Sequence, residues 1–287
     1  MERMVSRVSH GLIVAGGALL ASVAAADPVV RSGTAENAAG LQGIVDQFRV
    51  DVSRGGGVNA PGAEPPAPGV GRREINWDAA ALDAFASPGL MPGDFFNRVS
   101  RRGALLTTDG EGFTVSRRNA GGDLSDPSLR FGDVQAQYNS EFQVFSQQRL
   151  FATRGSLVYD TTFFIPTFPQ ARATVSGFGA VFCDVDLDNS TLVELFDASD
   201  RLIFSRNVSN RDKGLSFLGA SFTDGTQIGR VRVTTGNALF GSLDGVDDSG
   251  LFHDVVVLDD FIYGEPVPAP GVLAVGVAGL LAGRRRR

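Results

Sequence analysis

From Arg73 onward, short runs rich in Val, Phe, Thr and Leu alternate with clusters of Gly, Asp and Asn. No comparably long run with a helical apolar repeat follows residue 80, so the pattern predicts strands joined by turns. Short strands without intervening helices favour an all-β fold, an antiparallel β-sandwich or jelly roll, over a parallel sheet with crossover helices. The nine predicted strands are Ala104–Thr108, Phe113–Ser116, Val158–Ile165, Ala173–Asp186, Leu192–Asp197, Arg201–Asn207, Leu215–Phe222, Ile228–Thr234 and Val255–Tyr263.

The aromatic residues are mostly phenylalanines, with 21 Phe against one Trp and three Tyr. Phenylalanines inside predicted strands indicate a core packed between two sheets. The longest predicted strand, Ala173–Asp186, is expected to be central, and Gly177 and Gly179 within it mark a bulge or a close backbone approach. Cys183, the only cysteine, is expected to be a buried small apolar residue, so the chain can form no internal disulfide.

The stretch before the strands, residues 27–72, has a different character. Four apolar residues spaced i, i+3, i+4 and i+7 predict a short amphipathic helix that docks on the body. These residues are Leu41, Ile44, Val45 and Phe48. Residues 55–72 contain ten Gly or Pro and predict a linker or a long exposed loop. We therefore predict a helix with linker at 27–72, followed by a β-sandwich domain at 73–264.

The N-terminal residues 1–26 have the three parts of a secretory signal peptide. Two arginines precede an apolar run at 12–20, and small residues end the segment. The small residues Ala24 and Ala26 match a signal-peptidase site, with cleavage between Ala26 and Asp27. The apolar run is too short to favour an uncleaved membrane anchor. Export through the secretion translocase, followed by signal-peptidase cleavage, is the expected route.

The C-terminal tail, residues 265–287, also has three parts in a fixed order. A Pro-x-Pro turn is followed by an apolar and glycine run at Gly271–Gly283, and four arginines end the chain. The apolar run can enter a bilayer while the arginines remain on the cytoplasmic side. Because the run is shorter than a full span, it favours transient insertion into the inner membrane over a permanent transmembrane anchor. The residues of this signal are Pro268, Ala269, Pro270, Arg284, Arg285, Arg286 and Arg287.

This order of parts resembles the PEP-CTERM sorting signal of bacteria, which is read by exosortase. The resemblance is confined to the tail, and Pro268-Ala269-Pro270 stands where the family usually has Pro-Glu-Pro. It implies a C-terminal transmembrane sorting helix, processing by exosortase, and a final location in the cell envelope, at the cell surface or in the extracellular matrix. A plain membrane anchor is the alternative interpretation.

The body resembles the β-sandwich domains that often precede this signal, and is similar to carbohydrate-binding modules and galactose-binding-like jelly rolls. The resemblance lies in four segments, which imply a fold but no activity. They are Arg73–Asp78, Asp94–Asn97, Gly214–Gly219 and Val257–Gly264. In jelly rolls the first and last strands often pair, so the opening and closing segments are expected to meet.

The charge of the body argues against nucleic acid as a partner. Without the segments 1–26 and 267–287, 20 of the 26 basic residues and 31 of the 32 acidic residues remain, which gives a net charge of −11. Nucleic-acid binding depends on basic surface that offsets phosphate charge.

Clustered aspartates suggest a structural calcium site. Asp184, Asp186 and Asp188 alternate, so in a strand they would point to one side. Asp259 and Asp260 lie in the last predicted strand. Ca²⁺ binds six to eight hard oxygen ligands, which clustered carboxylates supply. We predict that some of these five residues bind calcium, and the alternative is that they are solvated strand ends or turn caps.

The chain lacks the motifs of the common catalytic classes. A Ser-His-Asp triad would have to use His253, and no nucleophile elbow, phosphate-binding loop or dinucleotide fingerprint occurs. We therefore predict a non-enzymatic surface or matrix protein that could bind polysaccharide, with Trp77 as the tentative ligand contact. The alternative is a secreted carbohydrate-active enzyme, a glycoside hydrolase or lyase, that uses a carboxylate pair. Nothing in the sequence pairs any two of the candidate acids. They are Glu141, Glu194, Asp186 and Asp260.

Overall fold

The computed structural model describes residues 27–119 and 121–270. Within them the chain is 39% strand and 13% helix, and its antiparallel sheets curl into a half-barrel. The predicted signal-cleavage residues Ala24 and Ala26, and the terminal run Arg284–Arg287, lie outside the described residues. In the described part of the chain, no helix is both long and apolar enough to cross a membrane.

The secondary structure elements are numbered in chain order. The strands are β1 (Val29–Ala35), β2 (Arg72–Ile75), β3 (Ala104–Thr107), β4 (Gly112–Val115), β5 (Phe151–Arg154), β6 (Val158–Ile165), β7 (Phe168–Thr174), β8 (Gly177–Val185), β9 (Leu192–Phe196), β10 (Leu202–Asn207), β11 (Arg211–Ser221), β12 (Arg230–Thr234), β13 (Gly245–Val246), β14 (Phe252–His253), β15 (Val257–Gly264) and β16 (Val267–Pro268). The helices are α1 (Ala38–Ser53) and α2 (Tyr138–Glu141), with helical turns at Ala80–Phe85 and Phe95–Val99.

Most of the strands belong to two seven-stranded sheets. The first has the order β1-β11-β8-β15-β5-β4, and β2 also pairs with β15. The second has the order β10-β9-β12-β6-β7-β16, and β3 also pairs with β6. The pairing of β2 with β15 joins the opening segment of the body to its closing strand, as the sequence predicts. A two-stranded hairpin of β13 and β14 lies outside both sheets.

Eight of the nine predicted strands are confirmed, each with ends within four residues of the prediction. The ninth, Ala173–Asp186, is wrong as a single central strand, because the chain changes sheet within it. β7 ends in the second sheet at Thr174, and β8 begins in the first sheet at Gly177. Between them Val175 exchanges two backbone hydrogen bonds with Ile228, which keeps the backbone paired through the crossing.

Aromatic side chains from both sheets form one hydrophobic core. Phe261 of β15 and Tyr159 of β6 stack with ring centroids 6.0 Å apart, although the two strands belong to different sheets. Trp77 stacks on Phe151 at 4.2 Å and meets Phe261 edge-on at 5.0 Å. The prediction that phenylalanines fill a core between sheets is confirmed. Full burial of one such ring contributes roughly 1.5–3 kcal/mol.

Helix α1 covers the other side of the first sheet, and the predicted helix is confirmed. The Asn37 side chain caps its N-terminus by accepting a hydrogen bond from the amide of Gly40 at 3.2 Å. Leu41, Val45 and Phe48 are fully buried on its inner face. They form a second hydrophobic cluster with residues of β8, β11 and β15.

The Phe48 ring packs against glycines on two neighbouring strands, β8 and β11. A Cβ atom at Gly179 would lie 2.7 Å from Cε1 of Phe48, and one at Gly219 would lie 2.7 Å from its Cδ2. Such distances are too short for carbon atoms, so the ring requires glycine at both positions. A Cβ atom at Gly179 would also lie 3.0 Å from Cα of Gly219 on the neighbouring strand, so the close backbone approach predicted at Gly179 is confirmed.

The last described residues extend the second sheet. Val267 and Pro268 form β16 beside β7, and Ala269 donates its amide to the carbonyl of Arg172 at 3.0 Å. The predicted Pro-x-Pro turn is therefore wrong at Pro268, which continues a strand. A proline is tolerated there because β16 is an edge strand, whose outer side needs no ladder hydrogen bond.

Candidate metal centre

Six carboxylates converge at the end of β8, beside the start of β11. They come from separate parts of the chain. One lies in α2, one in β8, one directly after β8, one in β11, and two in the segment between β12 and β15. The cluster, called the acidic cluster below, consists of Glu141, Asp184, Asp186, Asp212, Asp244 and Asp254.

An irregularity in the pairing of β8 with β11 places the central residue of the acidic cluster. The register shifts between Arg211 and Leu215, which leaves extra residues on β11 opposite the end of β8. Asp184 has a positive φ of 64°, in the left-handed region that aspartate tolerates better than most residues. Its Oδ1 accepts a hydrogen bond from the amide of Lys213 at 2.6 Å, which fixes the carboxylate in the bulge.

The carboxylates form three overlapping groups of three. Within each group, one oxygen of every carboxylate lies within 4.8 Å of an oxygen of the other two. Because Ca²⁺–oxygen distances are about 2.3–2.6 Å, oxygens with this spacing can contact one ion between them. The groups are Glu141 with Asp184 and Asp244, Asp184 with Asp186 and Asp212, and Asp186 with Asp244 and Asp254.

Two oxygens of the acidic cluster are buried without any hydrogen-bond partner. They are Oδ2 of Asp184 and Oδ1 of Asp186. Asp184 is 0% exposed, so solvent cannot satisfy its oxygen at the surface. Leaving a buried polar atom unpaired is costly, and a bound cation is one of the few ways to satisfy a carboxylate oxygen.

Other oxygens of the acidic cluster are held by the protein. Asp254 accepts hydrogen bonds from the amides of Asp186 and Leu187, both at 3.2 Å, and from the hydroxyl of Ser190. Oδ1 of Asp244 accepts a hydrogen bond from the amide of Val255 at 2.8 Å. These contacts preorganise the carboxylates before any ligand binds.

The electrostatics of the acidic cluster disfavour six ionised carboxylates. Burial, followed by the charges of Asp186 and Asp244, raises the pKa of Asp184 to about 9. Burial and neighbouring carboxylates raise the pKa of Asp186 to about 7, and burial raises that of Asp244 to about 6. Among residues 27–119 and 121–270, Lys213 is the only basic residue in a salt bridge with the cluster, at 3.1 Å from Glu141. Protons or cations must therefore neutralise most of the remaining charge.

The structure brings together two of the five predicted calcium ligands, Asp184 and Asp186. Asp188 is exposed and belongs to none of the three groups. The predicted alternation fails there because β8 ends at Val185, so the later aspartates are in a loop and do not share a strand face.

The other two predicted ligands lie elsewhere and have protein partners. Oδ2 of Asp259 accepts hydrogen bonds from the amides of Phe145 at 2.6 Å and Ser146 at 3.1 Å. Asp260 accepts a hydrogen bond from the Ser146 hydroxyl at 2.6 Å and forms a salt bridge with Arg49 at 3.2 Å. Asp259 and Asp260 therefore accept hydrogen bonds from the loop at 145–146, and Asp260 also forms a salt bridge with α1. Neither residue is part of the acidic cluster.

The tentative ligand contact Trp77 is a core residue. It is 1% exposed, and its ring nitrogen donates to the carbonyl of Asp259 at 2.8 Å. The three tyrosines, Tyr138, Tyr159 and Tyr263, are buried as well. None of these four rings is exposed, so the prediction of Trp77 as a ligand contact is wrong.

The structure brings together two of the four acids proposed for a hydrolytic pair. Glu141 and Asp186 belong to the acidic cluster, whereas Glu194 lies in β9 and Asp260 in β15. The carboxylate with the most strongly raised pKa in the cluster, that of Asp184, is fully buried.

Sequence reasoning missed Asp212, Asp244 and Asp254 as members of the acidic cluster, and it named Glu141 only as a candidate catalytic acid. Asp244 and Asp254 flank an Asp- and Gly-rich stretch, which is the one local signal that could have pointed to them. Comparison of the chain with profiles of known protein families, with curated proteins and with solved structures finds no match. A functional assignment therefore rests on the geometry of this chain.

Proposed function

We propose that this chain is an exported, non-enzymatic protein of the cell surface or extracellular matrix, whose β-rich body is stabilised by bound Ca²⁺. The observation that carries the proposal is the acidic cluster, in which Asp184 and Asp186 hold buried oxygens with no partner. The sequence supports the location through its signal-peptide pattern and its C-terminal tail. A structural cation suits an exported protein because such sites are tuned to millimolar Ca²⁺ outside cells.

The chemistry of the ligands favours calcium over other common metals. All three groups consist of aspartate and glutamate, with no histidine or cysteine. Zinc and copper sites in proteins usually include nitrogen or sulfur ligands, whereas calcium is bound by oxygen. Carboxylates from separate loops and strands can accommodate the irregular coordination of Ca²⁺ more readily than the strict octahedron of Mg²⁺.

For the fold, we infer that the two seven-stranded sheets are the faces of an antiparallel β-sandwich of the jelly-roll type. Support comes from the shared core, in which Tyr159 of the second sheet stacks on Phe261 of the first. The chain also changes sheet directly between β7 and β8, a connection of the kind that links the two layers of such sandwiches.

Calcium is expected to raise the melting temperature of the chelator-treated protein. A ligand that binds only the folded state adds roughly 2.7 kcal/mol at a hundredfold excess over its Kd. For a domain of this size, that corresponds to about 5–10 °C. Thermal unfolding followed by circular dichroism, in chelator and in millimolar Ca²⁺, measures the shift, and Mg²⁺ should produce a smaller one.

Two variants make the calcium test specific. Asp186→Ala should reduce the rise, because this residue belongs to two of the three groups. Asp46→Ala, on the exposed side of α1, should keep the full rise. Identical melting curves of the wild-type protein in chelator and in Ca²⁺ would refute the calcium proposal.

Removal of residues 271–287 is expected to release the folded protein from the envelope into the medium. This cut leaves β16 intact, whereas a cut before Val267 would also remove strand pairing with β7. Replacement of Arg284–Arg287 by neutral residues should impair retention, since the positive flank fixes membrane orientation. Fractionation of cells with an antibody to the body measures the distribution. Unchanged retention of the shortened chain would contradict the sorting proposal.

A further inference from the structure

We propose that the acidic cluster binds two divalent cations, and that Asp184 is shared between them. The inference rests on the calcium binding proposed above and adds the number of ions and their ligands. One cation would lie among Glu141, Asp184 and Asp244. The other would lie among Asp184, Asp186 and Asp212.

The first argument is geometric. Each of the three groups has three members, and in the described part of the chain no four carboxylates meet the same distance limit of 4.8 Å. A single calcium ion centred in any one group is therefore surrounded by three of the six carboxylates. The remaining three would stay close together without a cation.

The second argument is charge. Six carboxylates together with Lys213 carry a net charge of −5 when all are ionised. One divalent cation would leave −3 in a partly buried space, and two would leave −1. Uncompensated charge in a region of low dielectric constant is strongly unfavourable, so the second cation gains most of the remaining electrostatic stabilisation.

The hydrogen bonds of the six carboxylates indicate which two of the three groups bind a cation. Both oxygens of Asp254 already accept hydrogen bonds from amides or a hydroxyl, so this carboxylate needs a cation least. The two unpartnered oxygens belong to Asp184 and Asp186, which occur together in the group with Asp212. Asp184 also forms a group with Glu141 and Asp244, so it belongs to both proposed positions.

The two positions differ in their access to solvent. Asp212 is exposed, whereas Glu141 and Asp244 are at least partly buried. The position beside Asp212 is therefore expected to bind more weakly and to exchange its ion faster. Its loss should leave the more buried ion in place.

The test is the number of calcium ions bound per chain. Chelator-treated protein is equilibrated with ⁴⁵Ca²⁺ at saturating concentration, and bound calcium is counted against protein concentration. The wild-type protein should bind two ions, and Asp212→Asn should bind one. Asp188→Asn changes an exposed aspartate outside the acidic cluster, so it is the matched control and should bind two.

The outcomes separate this inference from the function on which it rests. One ion in the wild-type protein, with one still bound by Asp212→Asn, would overturn the second cation and leave the calcium proposal standing. No bound calcium in the wild-type protein would overturn both. Two ions in Asp212→Asn would overturn the assignment of Asp212 as a ligand.

Discussion

Arg73→Ala is expected to destabilise the fold by about 3–5 kcal/mol, the usual cost of removing one partner of a buried ion pair. Arg73 and Glu265 are both buried, and two guanidinium nitrogens, Nε and Nη2, each contact a different carboxylate oxygen of Glu265 at 2.6 Å. Nη1 donates to the carbonyl of Ala60, and Nη2 also donates to the carbonyl of Ala63. The substitution therefore leaves a buried carboxylate without its charged partner and loop carbonyls without their donor.

Urea denaturation of the variant and of a matched control measures this loss. Arg98→Ala removes an exposed arginine whose salt bridge with Asp94 lies at the surface. Such pairs typically contribute at most about 1 kcal/mol, so this control should unfold close to the wild-type midpoint. If Arg73→Ala unfolds at the same midpoint as Arg98→Ala, the buried pair does not hold the Gly- and Pro-rich loop to the body.

The calcium-free protein is expected to lose stability as the pH rises from about 5 to 9. Aspartates in the unfolded chain titrate near pH 3.9. Burial and neighbouring charges raise the pKa of Asp244 to about 6, of Asp186 to about 7 and of Asp184 to about 9. In this range the folded state binds more protons than the unfolded state, so each unit of pH removes stability. The stabilising contribution is complete below about pH 4 and is lost as the pH passes through these three values.

Calcium should reverse this dependence. It competes with protons for the carboxylates, so its affinity rises with pH, and the gap in melting temperature between Ca²⁺ and chelator should widen from pH 5 to pH 8. The pKa of Asp259 is also raised by burial, but this residue lies outside the acidic cluster and contributes equally with and without calcium. Melting curves across this pH range give the gap directly. A gap that is constant with pH would show that the cluster does not exchange protons for calcium.

Much of the β structure could be predicted because apolar residues alternate in it. β6 has the predicted ends, Val158 and Ile165, and its burial alternates up to Phe163. β1 escaped prediction because its residues are mostly half-buried at the edge of the first sheet, and Arg31, Ser32 and Gly33 interrupt its apolar pattern. Its pairing with β11 is a long-range contact with no local signal.

The acidic cluster was predicted only where its members are neighbours in sequence. Asp184 and Asp186 could be recognised by their spacing, but Glu141 and Asp244 come from segments that tertiary folding brings to the end of β8. Trp77 was predicted to contact a ligand, yet the Gly- and Pro-rich segment before it packs on the body through Arg73, and the indole lies in the core. Local patterns predicted strands well, whereas burial of individual polar residues depended on contacts distant in sequence.

The most direct test of a calcium-binding acidic cluster is the melting temperature of Asp184→Asn at pH 7.5, in chelator and in millimolar Ca²⁺. Burial raises the pKa of Asp184 to about 9, so without calcium its side chain is protonated and as uncharged as asparagine. The variant should therefore melt near the wild-type temperature in chelator. In Ca²⁺ the wild-type protein should melt about 5–10 °C higher, while the variant should gain little. An equal rise in both proteins would contradict the assignment of the acidic cluster as the calcium site.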